Sequence, residues 1–268
     1  MGKRGRPQLK MTAAIIAIGD ELLSGYTVDT NSNWIAQRLR ALGVALKRTS
    51  QIRDREPEIV EQVRRDLADP EVDTVFLTGG LGPTPDDRTF SALAAALGRE
   101  LVVVEEVRDR IEGRLHRMLK AGLIDSAELN EGHLRMARIP AGAAAVLSNR
   151  IGSAPSPVYE VDGTRIFVLP GVPPEMKAIF AEEIEPGYLA GGTALTVREL
   201  RIRFAVEGRF YPVLKELEET HPEVAVGSYP NFESKELTLR CTGADPARVE
   251  DALGILRRSA TSLGYTVG

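Results

Sequence analysis

Short β-branched runs ending in glycine alternate with segments of helical period between Ala13 and Gly171. That alternation predicts a mostly parallel sheet covered by helices. Strands are expected over residues 13–18, 45–50, 74–78 and 165–169. Asn31 or Ser32 is placed to cap a helix along Ile35, Leu39 and Leu42 that stops at Gly43. Pro57 suits the first turn of a helix carrying Ile59, Val63 and Leu67 on one face, and Pro70 ends it. Phe90, Leu93 and Leu97 mark another helix before Gly98, and a longer one is expected over about residues 105–120. Asp162-Gly163 between two apolar runs is a hairpin signal, so an antiparallel edge should form there.

A helix over residues 174–183 precedes a glycine-rich stretch, Pro186-Gly187 through Gly191-Gly192-Thr193, where a domain boundary is expected. Beyond it the order is strand (196–204), helix (207–219), strand (224–228), strand (237–241), helix (246–262), as in a split βαβ, ferredoxin-like α+β unit. Two domains follow, residues 11–187 and 195–268.

Composition narrows the partners. Hydrophobic residues make up 43% of the 268, enough to bury a core. The net charge is −4, and the four basic residues and no acid in the first ten leave −8 on the remainder. Nucleic acid is therefore disfavoured, because such binders neutralise phosphates with a basic face. A single cysteine, Cys241, allows no internal disulfide and no cysteine cluster for zinc. No apolar run is long enough for a membrane span, and no secretory signal precedes the first strand, so a cytoplasmic protein is expected.

The chemistry concentrates in Thr78-Gly79-Gly80-Leu81-Gly82-Pro83-Thr84-Pro85-Asp86-Asp87-Arg88-Thr89, where an apolar strand runs into a glycine loop and then a helix. Ligands of open α/β sheets bind at the carboxyl ends of strands. Gly79, Gly80 and Gly82 permit close backbone approach, and the following helix N-terminus offers N–H groups to a phosphate. One aspartate suffices to cap a helix. Two carboxylates beside a phosphate repel it unless a hard cation such as Mg²⁺ bridges them, which makes Asp86 and Asp87 candidate metal ligands. A plain turn with an aspartate cap is the simpler alternative. Gly19-Asp20-Glu21-Leu22-Leu23-Ser24-Gly25 and the following Asp29-Thr30-Asn31 should open on the same sheet edge. Gly152-Ser153-Ala154-Pro155 and Leu169-Pro170-Gly171-Val172-Pro173 add two loops of tight backbone, with Ser153 and Gly171 as further candidates for ligand contact. His116, His133 and His221 show neither metal spacing nor a nucleophile partner; His133 is expected in a loop.

These four motifs, in this order, closely resemble the competence/damage-inducible protein A (CinA) family. The region then resembles a molybdopterin-binding domain of the MoaB/Mog type, a three-layer α/β/α fold. Val226-Gly227-Ser228-Tyr229-Pro230 in the small domain is similar to a segment of short CinA-like proteins and of eukaryotic FAD synthases. The nicotinamide-nucleotide amidohydrolase domain of long CinA proteins has no counterpart in the chain, so deamidation is not expected. What the resemblance implies is metal-dependent hydrolysis of a nucleotide diphosphate such as ADP-ribose or FAD, with Mg²⁺, Mn²⁺ or Co²⁺; the alternative is a non-catalytic molybdopterin- or nucleotide-binding module. Carried over by motif, Asp87 handles the metal beside Asp86. Gly79, Gly80, Gly82, Pro83 and Thr84 cradle phosphate, and Asp20, Glu21 and Asn31 match the first-strand motif. Two departures stand out. Met136 replaces a common glutamine, whose amide hydrogen bonds a thioether cannot reproduce, and Ser156 ends a segment that is commonly Gly-Thr-Ala-Pro-Gly. A homodimer is expected from the small size of the second domain, its sheet edges and the resemblance.

Overall fold

The computed structural model describes residues 11–190 and 194–266. They divide into two compact units, one built mainly on residues 11–39 and 44–190 and one mainly on residues 194–266.

The first unit runs β1 (Thr12–Ile18), the single turn α1 (Asp20–Leu23), α2 (Thr30–Ala41), β2 (Ala45–Ile52), α3 (Glu56–Leu67), β3 (Thr74–Thr78), α4 (Thr89–Leu97), β4 (Leu101–Val103), α5 (Glu105–Lys120), α6 (Glu131–Met136), β5 (Arg138–Pro140), β6 (Ala145–Leu147), β7 (Ser156–Val161), β8 (Thr164–Leu169), α7 (Pro173–Ile179) and α8 (Glu185–Tyr188). Its main sheet has the order β2-β1-β3-β8-β7-β6. The first four strands are parallel, β7 is antiparallel to β8 and β6 antiparallel to β7, the turn back from β7 to β8 being made at Asp162 and Gly163 with φ of 49° and 88°. The β4–β5 pair stands apart as a two-stranded antiparallel ribbon.

Strand alternation sorts the side chains into two layers. Ile16, Leu77 and Val168 face one way and bury against Ile59 and Val63 of α3 and Leu93 of α4. Phe76 and Phe167 face the other way and stack at 5.1 Å; Phe180 lies 5.5 Å from Phe76 and meets Trp34 of α2 edge-on at 5.4 Å. This is the three-layer α/β/α arrangement. Each large side chain so buried contributes about 1.5–3 kcal/mol.

Three local expectations need correction. Neither Asn31 nor Ser32 caps α2. The helix begins at Thr30, and Asp29 is the residue whose carboxylate accepts from the Ser32 amide, at 2.9 Å. His133 lies in α6, where it and Asn130 form a reciprocal cap: His133 N–H donates to Asn130 Oδ1 at 3.0 Å and Asn130 N–H to His133 Nδ1 at 3.2 Å. The helix from Pro173 passes through a wide π-turn at Phe180–Ile184 into α8, so Pro186 and Gly187 are helical rather than part of a linker. Arg38 clamps this extension through two bonds of 2.6 Å to Glu185. The remainder of the expected linker, Gly191-Gly192-Thr193, lies outside the described residues, as does the basic start of the chain.

The second unit has β9 (Thr196–Arg203), a 3₁₀ turn at Glu207–Phe210, α9 (Tyr211–Thr220), β10 (Ala225–Asn231), β11 (Glu236–Gly243) and α10 (Pro246–Ser262). Its antiparallel sheet has the order β10-β11-β9. Leu237, Leu239 and Cys241 of β11 alternate onto a core shared with Leu217 of α9 and Leu253 and Leu256 of α10. The order matches the first three strands of a ferredoxin-like unit, without a fourth strand among the described residues.

Candidate functional site

Four parallel strands place their carboxyl ends on one edge of the main sheet. Ile18 is in register with Ile52, Ala17 with Thr78, and Thr78 with Leu169. The residues immediately beyond these strand ends therefore converge, and a cavity of about 250 Å³ opens between them.

The glycine loop is closed by its own hydrogen bonds. The Thr89 hydroxyl donates to the Gly79 carbonyl at 2.8 Å and its amide to the Gly80 carbonyl at 3.2 Å; Gly79 N–H donates to Leu169 O at 3.1 Å. Gly79 and Gly80 have φ of 104° and 64°. A Cβ on Gly79 would stand 2.1 Å from the Ile18 carbonyl oxygen, and one on Gly80 2.4 Å from Thr89 Oγ1. These glycines are thus required by the loop's packing against β1 and α4, in addition to any ligand. Asn31 joins the strand ends, donating to Gly171 O at 2.8 Å and to Thr78 Oγ1 at 3.2 Å. Its Oδ1 is buried without a partner.

The two aspartates do not cap α4. Arg88 occupies the N-cap, with no side-chain cap bond. Asp87 instead turns a carboxylate oxygen back to Thr84, accepting from its amide at 2.9 Å and its hydroxyl at 2.5 Å. The Asp86 carboxyl, beside the same Thr84 hydroxyl, lies below its ordinary pKa, helped by the charges of Arg88 and Arg135.

Sequence reasoning missed Asp54. It follows the end of β2 by two residues, and its carboxylate accepts from the Asp20 amide at 2.9 Å. Burial raises its pKa, and the charges of Glu21, Asp20 and Asp87 raise it further. Glu21, Asp29, Asp54, Asp86 and Asp87 all line the cavity, together with Asn31, Gly79, Gly80 and Gly171, and no lysine, arginine or histidine lines it among the described residues. Asp20 contributes through its amide rather than by lining the space.

The other expected contacts fall in neighbouring cavities. Gly82 lines one of about 380 Å³ with Leu81, Phe90 and Arg135. Pro83, Ser153 and Gly171 line another of about 380 Å³. Met136 faces this last, more apolar space with Leu81, Ala154 and Val172. Asn149 shapes its rim: its side chain accepts from Gly152 N–H at 2.7 Å and donates to Glu175 at 2.7 Å. Gly80 and Asp87 line all three cavities.

Among the described residues no three His, Cys, Asp or Glu side chains are already gathered to hold a metal ion. The donor set nevertheless suits a hard cation. Mg²⁺ is commonly held by one or two carboxylates with substrate phosphates and water completing its shell, and a cavity whose charged side chains are all carboxylates disfavours a phosphate unless a cation accompanies it. No helix among the described residues is long and apolar enough to cross a membrane.

Comparison with known proteins agrees with the motifs. The family model described as a probable molybdopterin binding domain matches residues 14–189, and that of the FAD synthase middle domain matches residues 194–263. Protein PF0476 of Pyrococcus furiosus is 40% identical over 206 residues, covering 77% of this chain and 80% of its own length. Protein TK1472 of Thermococcus kodakarensis is 38% identical over 247 residues, covering 92% and 96%. Among solved structures, the protein CinA of Thermoplasma acidophilum, titled as of unknown function, is 34% identical with a TM-score of 0.57, over 65% of this chain and 96% of that one. The molybdopterin biosynthesis enzyme MoaB of Thermus thermophilus is 19% identical with a TM-score of 0.43, over 67% and 94%. The CinA-like resemblance drawn from the motifs is met by these findings.

Proposed function

Because the chain belongs to the family of probable molybdopterin binding domains, we propose that it binds a nucleotide diphosphate of the ADP-ribose or FAD type at the glycine loop and hydrolyses its anhydride with a divalent cation. The observation that carries this reading is the cavity at the strand ends, lined by five carboxylates and no basic side chain among the described residues. An anionic ligand is repelled there unless a cation accompanies it.

Asp87 and Asp54 would hold the ion, with Asp86 beside them. When bound, a cation of this class neutralises phosphate charge and polarises the phosphorus–oxygen bond. The chain's own groups do the positioning. Thr84 fixes the Asp87 carboxylate, the Asp20 amide fixes Asp54, and Asn31 ties the ends of β3 and β8 beneath the loop. Water adds to one phosphorus, the bond to the bridging oxygen breaks, that oxygen leaves on the second phosphate, and a proton is released, giving two monophosphates.

AMP release from ADP-ribose or FAD with Mg²⁺, Mn²⁺ or Co²⁺ tests the reading. Asp87→Ala and Asp54→Ala should each lower kcat/KM at least a hundredfold, about 2.7 kcal/mol of transition-state stabilisation, with native circular dichroism. Absence of turnover across these substrates and metals favours the second reading, a module that binds a nucleotide or pterin without hydrolysis. That alternative is supported by Met136, whose thioether stands in place of an amide in the more apolar of the three cavities.

A further inference from the structure

The glycine loop carries a second cavity whose charge opposes that of the first. Its wall, enclosing about 380 Å³, shares Gly80 and Asp87 with the carboxylate cavity but adds Arg88, Arg135 and Arg138, with Glu56 as its other acid. The arginines come from three separate places: the N-cap of α4, the last turn of α6 and the first residue of β5.

Packing does not require them to converge. Arg88 is exposed; its charge acts on nearby Asp86, as does that of Arg135, but it makes no side-chain hydrogen bond or ion pair among the described residues. Arg138 pairs at 2.8 Å with the exposed Glu131. Arg135 gives one N–H to the Asp87 carbonyl at 2.9 Å. A guanidinium carries five donors, so each retains donors for a ligand. Phe90 and Ser91, in the first turn of α4, line the same space, and the positive end of the helix dipole adds to its attraction for an anion.

We propose that this arginine-lined cavity is a phosphate subsite for a second phosphoryl group, so that the ligand straddles Gly80 and Asp87 with one phosphate among the carboxylates and cation and the other on the arginines. The inference deepens the diphosphate reading above and rests on it for the ligand's identity. The asymmetry gives the anhydride a direction. The phosphate that enters with the cation is distinguished from the one that pairs with guanidinium, whose fork matches phosphate oxygens two at a time.

Inorganic phosphate alone, titrated into metal-free protein and followed by calorimetry, tests the subsite without requiring turnover. The expected result is saturable binding that weakens with salt. Replacing both Arg88→Gln and Arg138→Gln should raise the Kd for phosphate at least tenfold. Asp54→Asn should leave it unchanged or lower it, and Arg65→Gln, on the exposed face of α3, should not change it. All are surface or rim changes, and circular dichroism confirms that each variant folds. Failure of the wild type to bind phosphate at low salt, or equal binding by the double arginine variant, overturns the proposal. The two readings part cleanly: phosphate binding lost with the arginines, in a protein that never releases AMP, removes hydrolysis but keeps the subsite. AMP release with an unchanged KM in the double variant does the reverse.

Discussion

Replacing Gly79 with alanine tests whether the glycine loop is shaped by its own packing or only by a ligand. Gly25 supplies the control, since both residues have positive φ, 104° at Gly79 and 74° at Gly25. A Cβ on Gly25 meets nothing within 4 Å, whereas one on Gly79 would lie 2.1 Å from the Ile18 carbonyl oxygen. Gly25→Ala therefore carries only the strain of an L-residue in left-handed backbone, roughly 1–2 kcal/mol. At Gly79 the collision is with main chain at the end of β1, held between β2 and β3, so backbone must shift; overpacking of this kind costs a further ~1–3 kcal/mol. Urea unfolding followed by Trp34, the one tryptophan of the chain, reads the unit that contains the site. With a urea dependence of about 2 kcal/mol/M, Gly79→Ala should unfold roughly 0.5–1.5 M earlier than Gly25→Ala, with no ligand present. Coincident midpoints would refute the packing argument and return Gly79 to a purely ligand-serving role.

Three other expectations are open to direct measurement. Lys47, the Glu71 amide and Arg48 hold the Asp69 carboxyl well below the usual carboxylate range. A depressed carboxyl stabilises the fold above its unfolded pKa of about 3.9 and loses that contribution as pH falls through the folded value, so thermal unfolding should grow easier below about pH 4 and Asp69→Asn should flatten that slope. Burial pushes the Cys241 thiol up to about 11, so a maleimide or alkylating reagent at pH 8 should label it only when urea opens the second unit; labelling at the rate of a free thiol in native buffer contradicts its place in the core. Met136→Gln restores an amide to the apolar cavity and should raise AMP release severalfold if the thioether limits hydrolysis, whereas unchanged turnover separates Met136 from the reaction.

The parts of the fold that were legible are those whose signal is local. β1 and β3 are apolar runs ending in glycine, α5 keeps its period over sixteen residues, and Asp162-Gly163 takes the positive φ angles its residue types favour. β4, β5 and β6 have three residues each, too few for a period of two to be distinguished from chance. Asp29, Asn31 and Ser32 all suit a cap, and the choice of Asp29 depends on Asn31 being drawn inward to Thr78 and Gly171, a tertiary demand. Asp54 marks the same limit at the site. It belongs to no spaced motif, and it meets the glycine loop only because β2 lies beside β1 and β1 beside β3. Arg135 and Arg138 likewise reach Arg88 only because β5 pairs back onto β4, close after α4. The sequence thus identifies what each loop is made of, while strand order decides which loops meet. Of the charges that give the two cavities their opposite character, Asp54 on one side and Arg135 and Arg138 on the other are brought in by that order, and this is why the motif residues, which carry Asp86, Asp87 and Arg88, pointed to a loop suited to phosphate but not to two cavities of opposite charge.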